Sequence, residues 1–222
     1  FCHNMARDLP IQVNDASYPV SLVYIDDVIE KCLSLLSSDI TCQSGYIEIG
    51  PIYKTTVGEL ANKIKAFKES RQSLITESVG LGLNRKLYST YMSYLPKEKF
   101  NYPLIKHSDR RGTFVEMLKT NDSGQFSYFT AHPGITRGGH YHHTKTEKFL
   151  VVKGSACFRF CHIETGETYT INSSFTNAEV VETVPGWSHD ITNIGQDEMI
   201  VMLWANEIFD PNKRYYTIKY SY

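Results

Sequence analysis

The sequence predicts an α+β chain, with an α/β segment over residues 1 to 103 and an all-β sandwich or barrel over 104 to 222. Three observations predict it. From Leu104 onward, segments rich in β-branched and aromatic residues alternate with turn residues every ~8–12 positions. Before that point, apolar residues recur at helical spacing beside short apolar strands. Within the β region, His140, His142 and Glu147 place metal-ligand side chains at the ends of two expected strands.

In the α/β segment, Pro19 to Ile25 reads as a strand, and Asp26-Asp27 then cap a helix. Val28, Ile29, Cys32, Leu33 and Leu36 form its apolar stripe. Tyr46 to Gly50 is expected as a second strand ending at a Gly-Pro break. Thr56-Val-Gly-Glu59 is a capping box, placing Leu60, Ile64 and Phe67 on the buried face of the next helix. Residues 70 to 84 read as a loop, and Leu87, Tyr91 and Leu95 as one more short helix before Pro96. The expected β strands start at Gly112 and continue through 124–130, 147–152, 155–163, 168–171, 179–184, 190–193 and 198–204. Asn121 to Gly124 and Glu164 to Glu167 supply hairpin turns.

Composition excludes several classes. A hydrophobic content of 41% supports a core, and a net charge of -1 provides no field for nucleic acid or an anionic membrane. The longest apolar runs, 149–152 and 199–204, are too short to span a bilayer. The odd, scattered cysteines at 2, 32, 42, 157 and 161 suit a reducing cytoplasm. Phe1-Cys-His-Asn-Met-Ala, with no initiator methionine and no preceding strand, reads as the interior of a longer protein.

The richest stretch is Arg137-Gly-Gly-His140-Tyr-His142-His143-Thr-Lys145-Thr-Glu147. His140 and His142 are two apart, so on a strand they share a face. Glu147 leads into the next strand, and Pro185-Gly186-Trp187-Ser188-His189 offers a fourth ligand after a Pro-Gly turn. Imidazole and carboxylate together suit zinc, iron, nickel or manganese.

The paired patterns HxHx4Ex6G and PGxxHx3N resemble the two signature motifs of the cupin superfamily, which implies a jelly-roll barrel with a metal inside. Leu22-Val-Tyr24-Ile25-Asp26-Asp27-Val28 and Thr56-Val-Gly-Glu59-Leu60 resemble the carboxy-terminal, substrate-binding part of an extended short-chain dehydrogenase/reductase. The glycine-rich dinucleotide loop and the Tyr-x-x-x-Lys pair of that family have no counterpart here, so the segment reads as a truncated remnant. Asp109-Arg-Arg-Gly-Thr-Phe with Pro133 to Tyr141 resembles the sugar-nucleotide 3,5-epimerases of the rhamnose pathway. Arg137 to Val152, Pro185 to Gly195 and Trp204 to Pro211 together resemble the cupin half of a bifunctional capsular-polysaccharide enzyme.

That last resemblance implies a uridine-diphospho-2-acetamido-2,6-dideoxy-hexos-4-ulose as substrate. The cupin half would invert carbon 3, and a complete reductase half would reduce carbon 4 with NADPH toward UDP-N-acetyl-L-fucosamine. Glu147 stands where the rhamnose-pathway epimerases carry lysine, and His142-His143 where they carry glutamine, which turns a metal-free site toward metal binding. His140, His142, Glu147 and His189 are therefore assigned to a divalent metal, zinc first, and His143 to the catalytic base. A bulge at His142-His143 would exchange those two and leave His140 as the base. Arg137 and Lys145 are assigned to the diphosphate or the enolate. Tyr141 is expected to pack on the opposite face, Asp190 to orient His189, and Trp187 and Trp204 to serve core or subunit contacts. Asn206 to Pro211 is expected to cover a homodimer contact, and the aromatic tail Arg214 to Tyr222 to form an added strand or an oligomer contact. Two rival readings share the ligand set: an Fe(II) cupin dioxygenase and a non-enzymatic, metal-stabilised sugar-binding module.

Overall fold

The computed structural model of the chain describes residues 1–37 and 47–210, with the backbone of 216–217. It separates into two compact units: residues 1–72 with 77–101, and residues 73–76 with 102 onward.

The first unit contains α1 (Cys2–Ala6), β1 (Pro19–Leu22), α2 (Ile25–Leu36), β2 (Tyr53–Thr56), α3 (Val57–Ser73) and α4 (Gly82–Ser93). The capping box forms at the start of α3: Glu59 N donates to Thr56 Oγ1, and Thr56 N donates to Glu59 Oε2, both at 3.2 Å. Ile64 and Phe67 are then buried with Cys2, Met5, Ala6, Tyr91 and Leu95, and Leu60 is half-buried. One expectation is corrected. Residues 47–50 form no strand, and Tyr46 lies outside the described residues. All of β1 pairs antiparallel with β2 instead, from Pro19↔Thr56 to Leu22↔Tyr53. The apolar stripe on α2 forms but is not buried: Ile29, Leu33 and Leu36 are 49%, 60% and 86% exposed.

The second unit is built from two antiparallel sheets. Its strands are β3 (Lys106–Asp109), β4 (Gly112–Thr120), β5 (Gly124–Ala131), β6 (Thr136–Tyr141), β7 (Glu147–Lys153), β8 (Ser155–His162), β9 (Thr168–Ser174), β10 (Val181–Glu182), β11 (Trp187–Asn193), β12 (Met199–Ala205) and β13 (Tyr216–Thr217). One sheet runs β10-β7-β12-β5-β4-β3 and the other β13-β6-β11-β8-β9. Alternation along the strands sends Phe129, Phe149, Val151, Phe158, Ile191 and Val201 into a shared core, the arrangement of a jelly roll. The sequence missed β3, whose four residues are all exposed and show no alternation. It overstated 179–184, where only Val181 and Glu182 pair, with β7. Of the tail, Tyr216 and Thr217 add to β6, and the remainder lies outside the described residues.

Registry across the first sheet sets up the site. Gln125, Ala205 and Glu147 form one cross-strand row, Ser127, Leu203 and Phe149 the next, and Phe129, Val201 and Val151 the third. Polar groups sit at one end of the barrel and hydrocarbon fills the middle. Gly124 fixes where this row begins. Its φ is +79°, and a Cβ there would meet Ala205 O at 1.9 Å. Gly134 has a similar φ of +74° but open space around it. Gly134→Ala should therefore cost about 1–2 kcal/mol of backbone strain, and Gly124→Ala a further ~1–3 kcal/mol from the clash. Both tryptophans, Trp187 and Trp204, lie in this unit. Urea unfolding followed by tryptophan fluorescence isolates the effect, and equal costs at the two glycines would contradict the packing described.

Candidate metal centre

Three strands from the two sheets meet at the polar end of the barrel. His140 closes β6 and stands directly opposite His189 of β11, where the register shifts between His189 and Asp190. Gly138, with φ +94°, permits the approach: a Cβ there would lie 2.8 Å from His189 O. His142 follows one residue past β6, and Glu147 opens β7 in the facing sheet. Thr183 anchors that first residue, accepting from Glu147 N through Oγ1 at 2.8 Å and donating its own N–H to Glu147 O at 2.9 Å.

The ligand atoms of His140, His142, Glu147 and His189 all lie within 4.8 Å of one another. Glu147 Oε2 is 3.2 Å from His189 Nε2 and 3.7 Å from His142 Nε2, while Oε1 takes Lys145 Nζ at 2.8 Å. His142, Glu147 and His189 are buried and His140 is half-buried. Burial alone would raise the Glu147 carboxyl, but His142, His189 and the Lys145 charge outweigh it and hold the group ionised well below the usual range. His140 moves down to about 4: burial is the first cause, and His189, His142 and Lys145 add to it against the pull of Glu147. A buried carboxylate facing three imidazoles suits a divalent cation better than it suits an apolar core, which would leave these polar atoms poorly solvated. His189 Nδ1 is itself buried without a hydrogen-bond partner among the described residues.

Beside this cluster lies a cavity of about 420 Å³, with a smaller one of about 170 Å³ reaching His140, Glu147 and His189. Arg111, Arg137 and Lys145 line the larger cavity with Phe114, Leu203 and Phe209. Arg137 Nε donates to Thr130 O at 3.0 Å, and its guanidinium lies 5.2 Å over the Phe129 ring. Burial, then Arg111, lowers the Arg137 guanidinium against the pull of Asp109, whose carboxylate takes Arg111 Nε and Nη2 at 3.0 and 2.6 Å.

The structure thus brings together six of the seven residues singled out for the site. The exception is His143, which is exposed, edge-on to Tyr141 at a centroid distance of 5.5 Å, and absent from the lining of either cavity. Asp190 does not orient His189. It lies on the other face of β11 and takes Arg159 Nε and Nη2 at 2.9 and 3.0 Å. Sequence reading also missed Gln125, Ser127, Glu207 and Phe209 in the cavity wall. The signal for the first two was present in Gly124-Gln-Phe-Ser-Tyr-Phe129, where the polar residues take the inward positions. Asn206 to Phe209, expected at a subunit contact, is tied to its own unit. Asn206 Oδ1 accepts from Thr146 N at 2.9 Å, its Nδ2 donates to Thr144 O at 3.1 Å, and Phe209 N donates to Gln125 Oε1 at 3.1 Å.

Fold and site define a cupin-type jelly roll with a His/Glu cluster at its mouth. Residues 107–215 match the family model described as "Polysaccharide biosynthesis C-terminal domain". The chain is 58% identical over 210 residues to the "UDP-2-acetamido-2,6-beta-L-arabino-hexul-4-ose reductase" of Pseudomonas aeruginosa, covering 95% of this chain and 56% of that protein. It superposes on the capsular polysaccharide assembling protein CapF of Staphylococcus aureus with a TM-score of 0.92 at 39% identity, covering 99% of this chain and 64% of CapF. CapF solved with the inhibitor 3-isopropenyl-tropolone gives a TM-score of 0.89 at 40% identity over 95% of this chain and 61% of that one. The chain spans less than two thirds of the length of these relatives. No helix among the described residues is long and apolar enough to cross a membrane.

The lowered His140 has a definite pH signature in the metal-free protein. The unfolded chain binds a proton at this residue near pH 6.5 and the folded chain near 4. Stability should therefore fall as pH drops from 6.5 toward 4, by up to about 1.4 kcal/mol per unit. His140→Gln should remove that slope, and an NMR titration should find the His140 ring neutral down to about pH 4. An inflection near 6.5 would show the ring to be solvated.

Proposed function

We propose that this unit binds a divalent cation and epimerises carbon 3 of a UDP-2-acetamido-2,6-dideoxy-4-keto-hexose in capsular or O-antigen polysaccharide biosynthesis. The observation that carries the reading is the convergence of three histidines and Glu147 beside a cavity bearing Arg111, Arg137 and Lys145. Its likeness to a Pseudomonas aeruginosa UDP-keto-sugar reductase supplies the substrate class. Residues 1 to 103 are read as the substrate-binding part of a reductase half, which would use NADPH only in a complete protein, and residues 104 to 222 as the cupin domain. The cytoplasm is the compartment expected for such a nucleotide sugar.

A catalytic metal site keeps a position open for substrate, and a structural one closes all four. His142, Glu147 and His189 are the three buried members and would hold the ion, zinc first. His140 is half-buried and is the one histidine of the three that lines both cavities, which makes it the imidazole placed to face a ligand. Bound there, a divalent cation would supply Lewis-acid stabilisation of the carbon-4 oxygen. The proton on carbon 3 is acidic because that ketone can carry enolate charge. Inversion needs one group to take the proton and another to return it from the opposite side. His140, held neutral by its burial, is the acceptor in this reading, and Lys145 is the donor beside the enolate. The base role moves here from His143, whose exposed ring has no access to the cavity. Arg137 and Arg111 would take the diphosphate.

His189→Ala should lose the metal with the barrel still folded, because the core below the site is intact hydrocarbon. His140→Gln should keep the metal and slow deuterium wash-in at carbon 3 of the 4-keto sugar nucleotide by about 10²–10⁴. If His140→Gln also empties the site, all four residues are ligands and the site is a closed, structural one. Iron in the purified protein, with oxygen uptake, would favour the dioxygenase reading.

We also propose a homodimer. The β3 edge is wholly exposed and β9 is mostly so, and open edges are commonly covered by pairing. Light scattering should give twice 25.4 kDa, and a mass of 25.4 kDa at micromolar concentration would end this proposal.

A further inference from the structure

We infer that Ser127 and Gln125 form a subsite for the carboxamide substituent of the sugar, a reading that rests on the function proposed above. Both project from the inward face of β5, and both line the larger cavity. Ser127 is 2% exposed, and its Oγ has no hydrogen-bond partner among the described residues. Such a hydroxyl is costly to bury unless something satisfies it, and a free protein gains nothing from keeping serine at this position. Across β12 and β7 its neighbours in the row are Leu203 and Phe149, and on β4 it stands opposite Glu116, whose carboxylate is paired with Lys119 Nζ at 2.8 Å.

Gln125 is 4% exposed and holds Phe209 N through Oε1. That bond orients the amide, and Nε2 makes no hydrogen bond among the described residues. The two side chains, two positions apart on one face, therefore present an N–H donor and a hydroxyl able to accept. A secondary amide is the complement: its C=O accepts from Gln125 Nε2, and its N–H donates to Ser127 Oγ. The acetyl methyl would meet the Phe114 and Leu203 side chains that line the same wall.

Position fits as well. Gln125 lies two strands from Glu147 in the same row, which separates their backbones by roughly 10 Å. Carbon 2 is bonded to the reacting carbon 3, so its acetamido group, not the ring, would bridge from the cluster toward the Gln125 and Ser127 side chains that line the same cavity. A sugar with its reacting carbons at the metal cluster would place a carbon-2 substituent toward β5. A hydroxyl in place of the acetamido group would leave one partner of the pair unmet and the apolar wall uncovered.

The test compares three ligands on the whole 222-residue chain by calorimetry: UDP, a UDP-2-acetamido-hexose and the matching UDP-2-hydroxy-hexose. The wild type should prefer the acetamido sugar over the hydroxy sugar, and Ser127→Ala should erase about 3- to 10-fold of that preference while leaving UDP affinity unchanged. Because the free protein leaves the hydroxyl unsatisfied, Ser127→Ala should also unfold at the same or higher urea concentration, which a structural hydrogen bond would not allow. Ser127→Cys, close in shape but a weak donor and acceptor, should show the same selective loss. An unchanged preference in both variants, or a wild type that binds UDP with no preference, overturns the subsite and leaves the proposed function standing. A wild type that binds none of the three overturns both.

Discussion

The Glu147 carboxylate is the constraint around which the barrel mouth is arranged. It is 5% exposed, yet it stays ionised, which an isolated acid at that depth would not do. Lys145 sits on one oxygen and His189 and His142 face the other. The first residue of β7 in one sheet thereby contacts the end of β6 and the middle of β11 in the other. A buried charge is tolerated only when partners surround it, so the positions of three further side chains follow from this one. Thr183 completes the arrangement by occupying the Glu147 main chain, which leaves the carboxylate free to serve the cluster.

Around that charge the sheet is graded. The row containing Gln125, Ala205 and Glu147 is polar at both ends and small in the middle. Two rows further in, Phe129, Val201 and Val151 are buried hydrocarbon. The core therefore folds without help from the site, and the site can carry the desolvation costs that function demands. A layer of alanine between two polar residues also makes room for a cavity without a cavity in the core itself. Asn206 and Gln125 then hold the chain segment after β12 across this opening, and Glu207 and Phe209 thereby become part of the wall.

Much of this was legible in the sequence because strand periodicity is rigid. The two-residue spacing of His140 and His142, the turn before Glu147 and the Pro-Gly turn before His189 each specify a direction, and together they specify a point. What was not legible depended on parity or on partners. Whether His142 or His143 turns inward is decided by one residue, since a single slip reverses every side chain on a strand. The backbone past β6, preceded by positive-φ glycines at 138 and 139, sends His142 inward and His143 toward Tyr141. The segment 46–50 has good alternation, yet residues 47–50 pair with no strand, and it is Tyr53 to Thr56 that pairs with β1. The stripe on α2 is as regular as any in the chain, and periodicity alone did not disclose that it stays exposed.

The same parity governs what the site can do. A cluster of four side chains within 4.8 Å offers enough donors to close a tetrahedral ion completely. Closure would stabilise the barrel and stop the chemistry. The four residues are not equivalent, however. His142, Glu147 and His189 are buried, whereas His140 is only half-buried, is the one histidine of the three that lines both cavities, and has lost much of its basicity. A half-buried imidazole of lowered basicity lines the cavity, while Lys145 Nζ lies 2.8 Å from Glu147 Oε1, the oxygen that does not face His142 and His189. In the epimerase reading proposed above, such a pair would serve as proton acceptor and donor, a use that a purely structural ion would not need.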